Sequence, residues 1–152
     1  MFVHKHILFG AIFAGVLLLI FPQIGLQGFL LILFSTVLID VDHYLFYAYK
    51  KKDLNLKNSY WWFIKRVEKV KNLSRKEKNK IQNEILLLHG LEIVFLILTW
   101  AFIWKWFLFV ATGLSFHLFL DVFHQKSYRD RIDKVSLIQD INRFNLLEEL
   151  SL

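Results

Sequence analysis

The chain has 152 residues, of which 56% are hydrophobic, and its formal net charge at pH 7 is +6. Soluble domains have about 45–50% apolar residues, so this composition indicates a membrane protein. The length indicates a single domain. The chain contains no cysteine. Disulfides and thiolate metal sites are therefore excluded, and any bound metal must be held by nitrogen and oxygen ligands.

The first apolar segment has no charged residue from Ile7 to Ile39. It is too long for one membrane span and slightly short for two spans of about 20 residues each. Pro22 and Gly25 interrupt it as a tight turn would. We predict a first helix over roughly residues 6–21 and a second over roughly residues 26–48.

A secretory signal peptide is the alternative interpretation of the N-terminal segment. Lys5 and the short apolar core that follows it fit such a peptide. However, no small-x-small cleavage site follows the core, and the apolar character resumes at once. The sequence therefore favours a retained first helix.

The second apolar segment, residues 85–125, contains only three charged residues. One straight helix of that length would be about 60 Å long, twice the hydrocarbon thickness, so a reversal is expected near Trp100–Trp106. A capping box from Ser74 to Glu77 predicts that the third helix begins near Arg75 and extends above the membrane. The predicted fold class is all-α, an integral membrane four-helix bundle.

A basic loop separates the two apolar halves. Residues 50–83 carry twelve Lys or Arg against three Asp or Glu. Basic loops stay cytoplasmic, which places this loop and both termini of a multi-pass cell-membrane protein on that side. Apolar residues at helical spacing over 60–71 predict a surface helix, and anionic lipid headgroups, not nucleic acid, are the expected partners. The predicted domains are 1–125, a transmembrane metal-binding domain, and 126–152, a cytoplasmic amphipathic tail.

Acids and histidines occur within or at the ends of the apolar segments. At about 1.5 Å per residue, the main candidates lie about 18–27 Å from the outer turns of their predicted helices. In a hydrocarbon core about 30 Å thick, this depth is one layer near the cytoplasmic side. The candidate site residues are His6, Asp40, Asp42, His43, His89, Glu92, His117, Asp121 and His124.

Helical spacing places several of these candidates on shared faces. The sets are His117, Asp121 and His124, then His89 with Glu92, and Asp40 with His43. Ionisable groups in hydrocarbon are costly and usually face a partner, a cavity or a metal. Imidazole and carboxylate together suit a divalent metal. We predict one or two divalent ions, zinc first and manganese or iron next, with ligands His6, Asp40, His43, His89, His117, Asp121 and His124.

Two candidates receive catalytic roles. Asp42 points away from the shared face on an ideal helix, so it is expected to orient a ligand, or to bind if the helix end is distorted. Glu92 follows His89 by one helical turn and is the candidate general base, or else a ligand. Hydrogen bonding between helices remains the structural alternative for the His and Asp pairs.

At these residues the chain resembles the membrane-bound metal-dependent hydrolase family, the DUF457-like small inner-membrane proteins. The motifs are His6 opening the first helix, Asp40-Val41-Asp42-His43, Leu88-His89-Gly90-Leu91-Glu92, and Gly113 with His117 and Asp121. Better-known members carry His-Arg-x-x-Thr-His-Ser at the third motif, and only its second histidine has a counterpart here. The resemblance covers residues 1 to about 125, and it implies a metal more strongly than a reaction.

The functional hypothesis is an integral membrane metal-dependent hydrolase. Metal-activated water would attack an amphiphilic substrate, such as a phosphoester lipid, at the cytoplasmic face. Lys126, Arg129 and Arg131 follow the last predicted helix and are candidates for holding a phosphate. One alternative is a non-catalytic membrane protein with a structural or sensory metal, and another is a metal-free scaffold that binds a partner through the basic loop.

Overall fold

The computed structural model describes residues 3–81, 84–129 and 135–144. These ranges are helical and contain no strand, as the composition and apolar patterning predicted. The helices are α1 (Val3–Ile20), α2 (Gly25–Leu38), α3 (Val41–Lys51), α4 (Leu56–Lys71), α5 (Arg75–Lys80), α6 (Leu91–Ala101), α7 (Trp106–Arg129) and α8 (Leu137–Phe144).

The turn between α1 and α2 lies where the sequence predicted it. Pro22 begins a single 3₁₀ turn that ends at Ile24. Its fixed φ suits the first position of a helical turn, where no N–H donor is needed. Gly25 then adopts a φ of +63°, a conformation that a side chain would strain.

Three helical segments are long and apolar enough to cross a membrane: Val3–Ile20, Pro22–Lys51 and Trp106–Ser127. This result is compatible with a membrane protein. The fourth predicted span is not confirmed, because α6 has 11 residues and reaches only about 16 Å, half the hydrocarbon thickness. The reversal before α7 occurs as expected, with the amides of Ile103 and Trp104 both donating to the Trp100 carbonyl.

The second predicted helix, over roughly residues 26–48, lies within the apolar helical segment Pro22–Lys51, but its regular hydrogen bonding is broken between α2 and α3, at Ile39 and Asp40. The amide of Asp40 donates to the Val37 carbonyl at 3.2 Å, one residue short of the regular α-helical partner, Thr36. The amide of Asp42 likewise donates to the Ile39 carbonyl at 3.1 Å. These i−3 bonds wind the chain more tightly for about one turn, and this tight turn separates α2 from α3.

The third predicted helix is also interrupted. The capping box is present, with Ser74 and Glu77 bonded reciprocally, but α5 ends at Lys80 and Ile81 is extended. The prediction of a long helix rising from Arg75 is therefore wrong. In the next described part of the chain, the buried carboxylate of Glu84 pairs with the guanidinium of Arg66 from α4. This tertiary pair anchors the start of the irregular segment, residues 84–90, that contains His89.

Helix α4 follows a tight connection from α3. Asn55 caps it by accepting from the amides of Lys57 and Asn58. Asp53 accepts from the hydroxyl of Tyr47 at 2.6 Å and from the side chain of Asn58 at 2.8 Å. These bonds fix α4, the helix predicted over 60–71, beside the end of α3. Its position relative to a lipid surface remains a prediction.

The bundle is organised around α7, which packs against α1, α2 and α6. Small residues permit close approach: a Cβ at Gly113 would overlap the Ile32 carbonyl and the Ser35 hydroxyl of α2. The apolar core beside this contact contains Ile39, Val94, Leu114 and Leu118. Because α7 continues to Arg129, the domain boundary predicted at residue 125 falls inside this helix. The tail predicted over 126–152 is described only in part.

Candidate metal centre

Five buried residues converge from four separate parts of the chain. The relative exposures of His6, His89 and His117 are 0%, 1% and 0%, and those of Asp40 and Asp121 are both 8%. His6 lies on α1, Asp40 at the break before α3, His89 in the segment before α6, and His117 and Asp121 one turn apart on α7. Overlapping sets of three among these residues and His43 have donor atoms within 4.8 Å of one another.

The break after α2 orients His117. Because the amide of Asp40 does not use the Thr36 carbonyl, that oxygen is available to the imidazole. Nδ1 of His117 donates to it at 2.7 Å. A donating Nδ1 leaves Nε2 with a lone pair, and Nε2 faces the other candidate ligands.

Asp42 orients His89. One carboxylate oxygen, Oδ2, accepts from the Leu88 amide at 2.5 Å and lies 3.5 Å from Nδ1 of His89. At 3.5 Å this contact is too long for a hydrogen bond, but the nearby negative charge favours a proton on Nδ1 and therefore a lone pair on Nε2. Asp42 therefore occupies the supporting position that the sequence suggested for it.

The two Nε2 atoms face each other. Nε2 of His89 and Nε2 of His117 are 3.1 Å apart, and the ring planes cross at 74°. Two lone pairs at this separation repel unless a cation lies near both. Two nitrogen ligands of one tetrahedral ion, each bonded at about 2.0–2.1 Å, would be about 3.3 Å apart. The separation suits a hydrogen bond if one Nε2 carries a proton, and it suits two ligands of one ion if neither does.

Carboxylate oxygens complete this arrangement. Oδ2 of Asp121 lies 3.4 Å from Nε2 of His117 and 3.7 Å from Nε2 of His89. Oδ1 of Asp40 lies 3.8 Å and 4.0 Å from the same two atoms. Neither oxygen of Asp40 has a hydrogen bond within the part of the chain that the structure describes. A buried carboxylate in that condition is costly without a cation. The residues present thus fit a divalent ion.

His6 contacts the other side of the two carboxylates. Its Nε2 lies 3.1 Å from Oδ1 of Asp121 and 3.9 Å from Oδ2 of Asp40. Its ring stacks on that of His117, with centroids 4.0 Å apart and planes inclined by 14°. His6 is therefore part of the cluster but contacts different oxygen atoms from the His89 and His117 pair.

His43 lies at the edge of the cluster. Its Nε2 is 3.9 Å from Oδ1 of Asp40, and 18% of its side-chain surface is exposed. Its ring meets those of His89 and of Phe63 from α4 edge to face, with centroids 4.9 Å away in both cases. The most exposed side of the cluster, its open side, is therefore the side of His43, against which Phe63 of α4 packs.

Glu92 and His124 fall outside the sets of converging donors found among the described residues. The prediction that Glu92 shares a helix face with His89 is wrong, because His89 precedes α6. The Glu92 carboxylate instead accepts from the Ser136 hydroxyl at 2.5 Å and from the Leu137 amide at 3.1 Å. It caps α8, so the structure does not support a role as general base.

The proposed phosphate-binding cations cannot be placed together. Lys126 is exposed at the end of α7. The side chain of Arg129 and the whole of Arg131 lie outside the described residues. The candidate residues did not include Thr36, whose carbonyl orients His117. The available signal was the polar pair Ser35-Thr36, which follows a run of six apolar residues in α2.

Comparisons of the chain with protein-family models, with curated proteins and with solved structures give no match. The resemblance to the membrane-bound metal-dependent hydrolases, which rests on short motifs, therefore stays a prediction. What the structure supports is narrower: an all-helical chain with membrane-type helices and a buried His and Asp cluster that could bind a metal ion.

Proposed function

We propose that this chain is an integral membrane metal-dependent hydrolase that acts on an anionic amphiphile, such as a phosphoester lipid, at the cytoplasmic face of the cell membrane. The observation that carries the proposal is the convergence of Nε2 of His89 and Nε2 of His117, which are 3.1 Å apart, with one oxygen each of Asp40 and Asp121 within 4.0 Å of both nitrogens. A divalent ion, zinc before manganese or iron, is the group that this arrangement suits.

Some residues would bind the ion directly, and others would orient its ligands. His89, His117, Asp40 and Asp121 would supply the ligand atoms. Thr36 and Asp42 would keep the two imidazoles in the required tautomer, because each faces a ring at Nδ1. A divalent ion held there lowers the pKa of bound water to about 7 and so supplies a nucleophile at neutral pH.

The surroundings of the site favour an amphiphilic substrate. The cluster lies near one end of the long apolar helices: His6 is in the first turn of α1, and Asp121 is in the last third of α7. A headgroup would reach it beside α3 and α4, where many lysines of residues 50–83 lie. Their positive charge would attract anionic headgroups towards the open side of the cluster. This orientation would also put both termini in the cytoplasm.

The test measures metal content and phosphoester hydrolysis on the purified protein in detergent. We expect bound divalent metal and turnover of a phosphoester lipid in the wild type. Both should be lost in the double variant Asp40→Asn, His117→Gln. His4→Gln is the matched control, because His4 is an exposed histidine two residues from His6. Metal-free wild type, or equal turnover in the double variant and the control, would overturn the proposal.

A structural metal is the second candidate, and the near-complete burial of three histidines from three parts of the chain favours it. A closed structural site has four protein ligands and no open position. In that case chelation would lower thermal stability, and the intact protein would hydrolyse no lipid. A ligand present at 100 times its dissociation constant stabilises the folded state by about 2.7 kcal/mol, an effect that is readily measured.

A further inference from the structure

The stacking of His6 on His117 restricts how the two imidazoles can share ligands. An ion bound to an imidazole nitrogen lies close to the plane of the ring, about 2.0–2.1 Å from that nitrogen. The two rings are nearly parallel, and their centroids are 4.0 Å apart. An ion in the plane of one ring is therefore well out of the plane of the other. His89 differs, because its ring crosses that of His117 at 74° and the two planes can meet at one ion.

The carboxylates divide in the same way as the rings. Asp121 directs Oδ2 towards His117 and His89, and Oδ1 towards His6. Asp40 has Oδ1 near His117 and His89, and Oδ2 near His6. Each carboxylate thus has one oxygen on each side. A single ion would use one oxygen of each residue, and the buried imidazole of His6 would then only hydrogen-bond the other oxygen of Asp121 and would not bind the ion.

We propose that the centre holds two divalent ions bridged by Asp40 and Asp121. His89 and His117 bind the first ion, and His6 binds the second. The inference rests on the proposed metal centre and gives its stoichiometry and the role of His6. The second ion has three protein donors, one nitrogen and two oxygens, which leaves positions open for water or substrate.

The charge of such a pair specifies the substrate class further. Two divalent ions and two carboxylates leave a net positive charge at the centre if the histidines are neutral. A bridging anion would offset that charge, and paired ions of this kind stabilise the attacking and leaving oxygens of phosphoester displacement. An anionic phosphoester therefore suits the proposed pair better than a neutral ester does.

The first test counts ions per chain. Purified apoprotein in detergent is loaded with Zn²⁺, freed of excess metal, and analysed for elemental content. We expect two ions in the wild type and in His4→Gln, and one in His6→Gln. One ion in the wild type, with an unchanged count in His6→Gln, would overturn the two-ion proposal and leave the hydrolase proposal standing. No ion in the wild type would overturn both.

The second test needs only the wild type, so it does not depend on whether His6→Gln folds. Two Mn²⁺ ions bridged by carboxylates couple magnetically, whereas an isolated Mn²⁺ gives a six-line spectrum in electron paramagnetic resonance. We expect the coupled signal at full loading, with a metal–metal distance of about 3.5–4 Å by X-ray absorption. An isolated six-line signal at full loading, without a metal–metal distance, would refute the bridged pair whether or not hydrolysis is observed.

Discussion

Replacing Gly113 with alanine should disrupt the metal centre from a distance. Gly113 lies on α7 one turn before His117, where the two residues share a helix face. An added Cβ would overlap the Ile32 carbonyl and the Ser35 hydroxyl on α2. The hydroxyl can rotate away, but the carbonyl is part of the helix backbone. The two helices must therefore separate at this point.

The size of the effect follows from the distances. A Cβ needs about 3.4 Å from its neighbours, so α2 and α7 must separate by about 1 Å, and overpacking of this kind costs about 1–3 kcal/mol of stability. The bond from Nδ1 of His117 to the Thr36 carbonyl is now 2.7 Å, and stretched by about 1 Å it would no longer be a hydrogen bond. Losing such a supporting contact typically weakens metal binding about 10- to 100-fold.

The assay compares Zn²⁺ affinity and thermal unfolding in detergent for the wild type, Gly113→Ala and Gly15→Ala. Gly15 is the matched control, because a Cβ there meets nothing within 4 Å. It lies inside α1, so alanine should stabilise that helix by up to about 1 kcal/mol. We expect weaker Zn²⁺ binding and lower stability only in Gly113→Ala. Wild-type affinity in Gly113→Ala would refute the reasoning that the close contact between α2 and α7 orients His117.

Three further predictions concern Asp42, Glu92 and the capping box of α5. Asp42→Asn should weaken Zn²⁺ binding about 10- to 100-fold, because His89 loses its anionic partner. Competition with a chelating dye measures the affinity, and an unchanged affinity would contradict this role. Glu92→Gln should leave the metal content unchanged but speed hydrogen exchange of the first amides of α8, which Glu92 caps; a loss of metal would restore Glu92 to the site. Bonds from the hydroxyl and amide of Ser74 lower the pKa of Glu77 below its ordinary 4.5. Because the folded-state pKa is depressed, exchange protection of α5 should be full above about pH 4.5 and decline on acidification below it, whereas Ser74→Ala should remove that decline.

Part of the centre follows from helical periodicity alone. His117 and Asp121 are four residues apart inside a regular helix, so their shared face could be predicted from the sequence. The apolar segments and the turn at Pro22 and Gly25 were predictable for the same reason, since they depend on local composition and backbone geometry.

The position of His89 depends on contacts that local patterns do not encode. The Ser74 capping box starts a helix, but no nearby glycine or proline marks its end at Lys80. The ion pair of Arg66 with Glu84, which joins residues 18 positions apart, anchors the irregular segment that contains His89. The assignment of Glu92 as a base was unsupported for a related reason, because the partner of its carboxylate is α8, far along the chain.

The donor atoms of the centre are widely separated in the order of synthesis. Ribosomes deliver the N-terminus first, at about 5–20 residues per second, so His6 and Asp40 are made several seconds before His117 and Asp121 exist. Until then, Asp40 has only His6 and His43 among its final partners, and an incompletely paired carboxylate is costly in a lipid environment. If the centre binds metal as proposed, ion capture would mark a finished polypeptide, and chains terminated before α7 would be targets for membrane quality-control proteases.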